Sequence, residues 1–266
     1  MTNHTAWIIT IGNEVVDGRI VNTNASWLGR KLTMLGFNVL RVIAIPDVEE
    51  EIVDVIKEAL KKKIRVIITT GGLGPTYDDK TSECLAKALN VKWVLNSEAF
   101  EMVKAKYSQK GLSMTYHREK MAMLPEGSKP IPNPIGTAPG IFIKYNDTLI
   151  FALPGVPSEM KSMFEKYVEP LLKEIAPKMV VAEKIVRVIN IPESTLAPIL
   201  EKVLSRYSKL YIKSHPKGEE LEKPIIDIYI KITSTIRREA EETLLNVLKI
   251  LKEELEKLGG KIHEIS

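Results

Sequence analysis

Ile64-Arg-Val-Ile-Ile-Thr-Thr70 runs straight into Gly71-Gly72-Leu73-Gly74-Pro75-Thr76-Tyr77-Asp78-Asp79, and this junction decides the fold. An apolar run of strand length breaks at paired glycines, and a helical pattern follows from about Lys80 to Leu89. The same alternation surrounds it. Ala6–Ile11 is an apolar strand ending at Gly12, and residues 22–35 repeat leucine at helical spacing before Gly36. Asn38–Ile45 is a strand closed by Pro46, and Val48–Lys62 places Ile52, Val55, Ile56 and Ala59 on one helical face. Strands separated by helices of this length predict right-handed βαβ units: an α/β fold of three layers, α/β/α, around a mostly parallel sheet.

Further along, residues 96–123 read as helical with polar breaks. Pro125–Gly140 holds prolines at 125, 130, 132, 134 and 139 and reads as a long loop, a feature often tied to function. Ile141–Lys144 and Thr148–Leu153 read as a hairpin with an Asn146-Asp147 turn. A helix is expected from about Pro157 to Ile175. Pro177 marks a boundary between a first domain, 1–177, and a smaller α+β domain, 178–266. The second has the order strand (185–191), helix (194–206), strand (209–214), strand (225–232), helix (236–258), strand (261–265).

Composition narrows the class. The 266 residues are 44% apolar and 27% charged, which suits a globular protein with a substantial core. Low aromatic content with abundant Ile, Lys and Glu points weakly to a hot habitat. Thirty-eight basic against 34 acidic side chains give +4, divided equally between the two domains. No basic arm stands out, so nucleic acid is not an expected partner. One cysteine, Cys84, excludes an internal disulfide and a multi-cysteine zinc site. The start, Met1 to Trp7, has no signal-like flank, and no run approaches the ~20 apolar residues of a membrane span. A cytoplasmic protein with no membrane partner is expected.

Four strand-to-helix junctions carry the candidate chemistry. Gly71, Gly72, Gly74 and Thr76 form a glycine loop of phosphate-cradle type, where N–H groups and a helix dipole favour an anion. Its alternative is a tight turn, since Thr76-x-x-Asp79 also fits a capping box. Asp78 and Asp79 would repel phosphate unless a cation lies between. Gly12 to Asn24 leaves the first strand with Glu14 and Asp17 at the same sheet edge, where Asn22 or Asn24 is a candidate helix cap and Arg19 a solvated charge. Asp47 ends the second strand there; alone it would cap the next helix. Pro154, Gly155 and Ser158 form another turn before a helix, and Asn133, Gly136 and Thr137 lie in the long loop. His117 and His215 read as surface residues and Cys84 as packed. Trp7, Trp27 and Trp93 are too dispersed for a stacking platform.

In order, Gly-x-Glu-x-x-x-Gly-x-x-x-x-x-Asn, Gly-Gly-Leu-Gly-Pro-Thr-x-Asp-Asp, Asn-x-x-Gly-Thr-Ala-Pro-Gly and Leu-Pro-Gly-Val-Pro-x-Glu-Met resemble the amino-terminal domain of the competence-damage-inducible protein (CinA) family. That domain has the molybdopterin-binding fold of molybdenum-cofactor biosynthesis proteins. The match spans about residues 6–175, and the tail is similar to the family's KH-like domain by element order. The resemblance implies metal-dependent hydrolysis of a nucleotide pyrophosphate such as ADP-ribose, or of FAD-like dinucleotides. The alternative is molybdopterin binding or adenylyl transfer. It implies phosphate held at 71–76 and 153–155, and a divalent cation (Mg²⁺, Mn²⁺ or Co²⁺) on Asp47 and Asp79. Asp79, Asp47, Asp78 and Glu14 are the catalytic candidates. The partner implied is a small nucleotide substrate; a homo-oligomer is expected from the surface of the long helix and the Pro-rich loop. The chain ends at Ser266, before the family's deamidase domain, so nicotinamide-mononucleotide deamidation is not expected. The tail lacks a Gly-x-x-Gly loop, with Lys217-Gly218-Glu219-Glu220 after its second strand instead, so a structural or oligomer-building role is expected there.

Overall fold

The computed structural model describes residues 4–219, 222 and 224–265. Residues 1–3 of the chain start and Glu220 of the tail loop lie outside them. The chain divides into two compact units, Met1–Pro177 and Lys178–Ser266.

The first unit is built on a six-stranded sheet. Its strands are β1 (Thr5–Ile11), β2 (Asn38–Ile45), β3 (Val66–Thr70), β6 (Lys129–Ile131), β7 (Gly140–Tyr145) and β8 (Thr148–Leu153), in the order β2-β1-β3-β8-β7-β6. The β1–β2, β1–β3 and β3–β8 pairs are parallel, while β8–β7 and β7–β6 are antiparallel. The four strands β2, β1, β3 and β8 therefore end at one common edge. Strands buried on both faces need apolar residues throughout, which is why Val66–Thr70 and Thr148–Leu153 are buried along their whole length. Helices cover both faces. Helix α3 (Glu49–Lys61), α4 (Thr81–Leu89) and α5 (Ser97–Ser108) pack against Trp7, Ile9, Ile67 and Ile150. A short α1 (Asn13–Val16) follows β1, and helix α2 (Thr23–Met34), α7 (Pro157–Met163) and α8 (Glu169–Ile175) pack against Ile8, Val66, Ile68 and Phe151. This is the three-layer arrangement expected from the alternation of strand and helix.

Three expectations need correction. The stretch 96–123 is α5 and a short α6 (Tyr116–Lys120), and it is framed by a two-stranded sheet of β4 (Trp93–Leu95) and β5 (Met123–Pro125). The Pro-rich stretch is not only loop: β5 ends at Pro125, and β6 adds an edge strand. Pro130 fits in β6 because an edge strand leaves one row of N–H groups outside the ladder. The helix after Pro157 is interrupted by a π turn, Phe164–Val168. Pro170, which has no N–H for the helical ladder, stands at the start of α8 immediately beyond it. The hairpin holds, with Tyr145 opposite Thr148 and Asn146 at φ 51°.

The second unit has β9 (Val180–Ile189), α9 (Glu193–Leu204), β10 (Leu210–Pro216), β11 (Ile225–Ser234), α10 (Arg237–Glu256) and β12 (Lys261–Glu264). Its sheet order is β10-β11-β9-β12, and each neighbouring pair is antiparallel. That is the split βαβ arrangement of ferredoxin-like domains. Residues such as Val186, Val188, Ile228 and Ile230 face Leu200, Val247 and Leu251 of the helices.

Phe151 lies at the centre of the first unit with no exposed surface and stacks on Phe142. Phe151→Ala should therefore cost about 3–5 kcal/mol of stability in denaturant unfolding. A loss below about 1 kcal/mol would contradict the placement of this side chain in a rigid core.

Candidate functional site

A cleft of about 600 Å³ opens at the common edge where β2, β1, β3 and β8 end. Open parallel sheets place ligands at this edge, because the loops there leave the strands in diverging directions. Of the residues expected in the site, Glu14, Asp47, Gly71, Gly72, Gly74, Thr76, Asp78, Asp79, Thr137, Pro154 and Gly155 line the cleft.

The glycines serve the chain itself. A Cβ at Gly71 would stand 2.1 Å from the Ile11 carbonyl oxygen, and its φ is +105°. A Cβ at Gly72 would meet Thr81 Oγ1 at 2.2 Å, and one at Gly74 would meet Asp79 Oδ2 at 2.5 Å. The loop is thus folded down onto its own acids and onto β1. The helix α4 does not begin at Asp79 but at Thr81, after a turn. The Thr81 N–H donates to the Gly72 carbonyl, and its hydroxyl to the Gly71 carbonyl at 2.8 Å. The first N–H of that helix therefore closes the loop instead of facing a ligand.

Neither key acid caps a helix. Val48, not Asp47, occupies the N-cap of α3, and Lys80 that of α4, both without a side-chain cap bond. Asp47 instead accepts the backbone N–H of Asn13 at 2.9 Å. Asp79 accepts the N–H of Thr76 at 2.9 Å and, with Asp78, the Thr76 hydroxyl. The Thr76–Asp79 contacts realise the sequence's capping-box pattern as a closed turn ahead of the helix. Burial, reinforced by the nearby charges of Glu14, Asp78 and Asp79, raises the Asp47 carboxyl above its ordinary value, while the Asn13 N–H works against this. The Thr76 hydroxyl lowers Asp78, aided by Lys120. Lys120 also donates to the Thr76 carbonyl, and it is the cation the chain brings to this loop from 44 residues away.

Several expected residues stand elsewhere. Ser158 is exposed and outside the cleft lining; the neighbouring Glu159 lines it instead. Asn133 and Gly136 shape the loop from behind. Asn133 Nδ2 donates to Glu159 Oε2 at 2.7 Å, and its Oδ1 accepts from Gly136 N at 2.8 Å. A Cβ on Gly136 would displace that Glu159 carboxylate, at 2.0 Å. Asp17 pairs with Arg19 on the surface. The residues not assigned to the site from the sequence are Thr10, Asn22, Asn24, Thr70, Glu159 and Lys120; Asn22 and Asn24 read there as candidate helix caps, and Asn24 and Glu159 stand in the quoted motifs. Threonines closing apolar strands were the available signal for Thr10 and Thr70. Asn22 caps α2, while Asn24 is buried and donates to the Gly155 carbonyl at 2.7 Å; its Oδ1 is buried without a partner. Cys84 is buried and its thiol is pushed up to about 11 by burial, so it is packed and unreactive.

Among the described residues no three carboxylate, histidine or cysteine side chains converge into a ready-made metal cage. The donor set of Asp47, Asp78, Asp79 and Glu14 is all oxygen. That suits a hard cation of Mg²⁺ type, which takes one or two carboxylates and completes its shell with water and ligand phosphate. No helix among the described residues is long and apolar enough to cross a membrane.

The first unit has counterparts among known proteins. Residues 7–174 match the family described as "probable molybdopterin binding domain". A protein of Pyrobaculum calidifontis is 49% identical over 249 residues, covering 94% of this chain and 95% of its own. One of Sulfolobus acidocaldarius is 43% identical over 265 residues and covers both chains fully. Neither name states an activity. The crystal structure of the protein CinA with unknown function from Thermoplasma acidophilum superposes with a TM-score of 0.60 at 38% identity, over 64% of this chain and 99% of that one. It supports a CinA-like first unit.

The raised Asp47 carboxyl has a stability consequence. Its contribution is fully present below the unfolded carboxyl pKa and is lost as pH rises through the higher folded value. With a chelator present, Asp47→Asn should therefore melt above the parent at pH 7. That gain should disappear on acidification below about pH 4. An equal shift at both pH values would show that Asp47 is not under electrostatic strain.

Proposed function

The chain belongs to the probable molybdopterin binding domain family, and we propose that its cleft binds a phosphorylated pterin of the molybdopterin kind. The observation that carries this reading is that the family match covers the four strand ends lining the cleft. The alternative weighed from the sequence, molybdopterin binding or adenylyl transfer, thus takes precedence over pyrophosphate hydrolysis. Asn24, Thr10 and Thr70 offer polar groups for a heterocyclic ring, and the loop at 71–76 and the turn at 154–155 border the phosphate end. Asp47 and Asp79 would hold a divalent cation, each carboxylate fixed by a backbone N–H. When bound, the cation offsets the repulsion between acids and phosphate and polarises the phosphoryl oxygen. Thr76 keeps Asp78 and Asp79 oriented together, and Lys120 fixes the loop carbonyl behind them.

A second reading, hydrolysis of a nucleotide pyrophosphate such as ADP-ribose, is favoured by one feature. Five carboxylates line the cleft, Asp78 among them held ionised by Thr76, so a base is left beyond the two, Asp47 and Asp79, that would hold a cation. It would make the protein a hydrolase in the cytoplasm acting on a small nucleotide.

The two separate in one experiment. The purified protein is mixed with molybdopterin, or with ADP-ribose, in Mg²⁺, Mn²⁺ or Co²⁺. Retention of about one molybdopterin per chain through gel filtration, weakened at least tenfold by Asp79→Asn with an unchanged melting temperature, is expected. No retention, with AMP and ribose 5-phosphate formed from ADP-ribose, would replace the first reading by the second.

A further inference from the structure

The sheet of the second unit has one face covered by α9 and α10 and another that carries a different chemistry. Alternation puts Ile226, Ile228, Ile230 and Ile232 of β11 toward the helices. Their neighbours Asp227, Tyr229 and Lys231 point the other way, opposite Arg187, Ile185 and Glu183 of β9 and His215, Lys213 and Tyr211 of β10. Lys261 and His263 of β12 join the same face. Tyr211 is 49% exposed and meets Tyr229 edge-on at 6.0 Å, with the Lys231 ammonium 5.4 Å from its ring centre. Arg187 forks onto Asp227 at 2.7 and 2.9 Å, and Tyr229 donates to Glu183 at 2.7 Å. These bonds hold the platform rigid.

We propose that this face binds single-stranded RNA. Bases stack on Tyr211 and Tyr229, and Lys213, Lys231 and Lys261 meet the phosphates, as four-stranded sheets bearing aromatics do. The small net charge of the tail, which argued against nucleic acid, is an average that hides an asymmetry. The face holds four fixed cations, Arg187, Lys213, Lys231 and Lys261, against two acids, and that surplus equals the surplus of the whole 178–266 segment. Helix α10 carries six acids, at 239, 241, 242, 253, 254 and 256, against four cations, at 237, 238, 249 and 252, and so leans to the opposite sign. The missing Gly-x-x-Gly loop bears on recognition by a loop, not by a sheet. RNA is favoured over DNA because the half-exposed Tyr211 carries a hydroxyl to which a 2′-hydroxyl can bond, a group that DNA lacks.

The test is fluorescence anisotropy of the full chain with labelled RNA of ~10 nucleotides, oligo(U) and oligo(A), at two salt concentrations. Binding that weakens with salt is expected. Tyr211→Ala and Lys213→Glu should each weaken it about tenfold or more, while far-ultraviolet circular dichroism and melting stay unchanged. DNA of the same sequence should bind more weakly. No binding at low salt, equal affinity for DNA, or binding indifferent to both variants would overturn the proposal. So would a concentration-dependent oligomer that dissociates in the variants without any RNA bound, because the face would then be a contact between copies.

Discussion

The approach of Gly71 to the Ile11 carbonyl is the contact on which the first unit's cleft depends. At this point the ends of three strands lock together. Gly71 lies where a Cβ would strike β1, its N–H donates to the Leu153 carbonyl of β8, and its own carbonyl accepts from Thr81 at the start of α4. The turn after β8 closes the same joint, with Gly155 packed 3.5 Å from the Gly71 α-carbon when given a Cβ. Only a residue without a side chain, free to adopt φ +105°, permits this geometry. The strands then end level, and the acids that follow them are brought to one cleft.

From that joint the electrostatics follow. Glu14, Asp47, Asp78 and Asp79 belong to three separate junctions, yet their charges act on one another because the strand ends are adjacent. The chain answers with backbone N–H groups from Asn13 and Thr76, the Thr76 hydroxyl, and the ammonium of Lys120, with Lys80 also acting on Asp78. These hold the acids in place without neutralising them all. A divalent cation would offset two of the charges left on the acids and let an anionic phosphate approach them, which is the physical basis of the proposed ligand class.

Much of this was legible in the sequence, and the limits have physical reasons. The β2 boundaries could be read directly, because an apolar run closed by Pro46 leaves no other choice. Strands β4, β5 and β6 have three residues each, too few to show a period, and β6 carries a proline besides. The π turn at Phe164–Val168 is a fault of the helical ladder with no residue pattern of its own. In the site, acids immediately after strands were visible because sheet topology alone gathers them. Lys120 was not, since packing brings it in from a distant segment, and Asn24 and Glu159 stood in the motifs without a pattern to say that they face the cleft. The glycine loop was visible as a loop, but its glycines clear space for Ile11, Thr81 and Asp79 of the same chain.

The most direct test of the joint compares two glycines with positive φ. Gly18, at φ +78°, has open space where a Cβ would go, and Gly71 does not. Gly18→Ala should cost only the backbone strain of about 1–2 kcal/mol. Gly71→Ala should cost several kcal/mol more in denaturant unfolding of the first unit, and binding of the proposed molybdopterin ligand should be lost. Equal losses for the two substitutions, with ligand binding intact in both, would contradict the account.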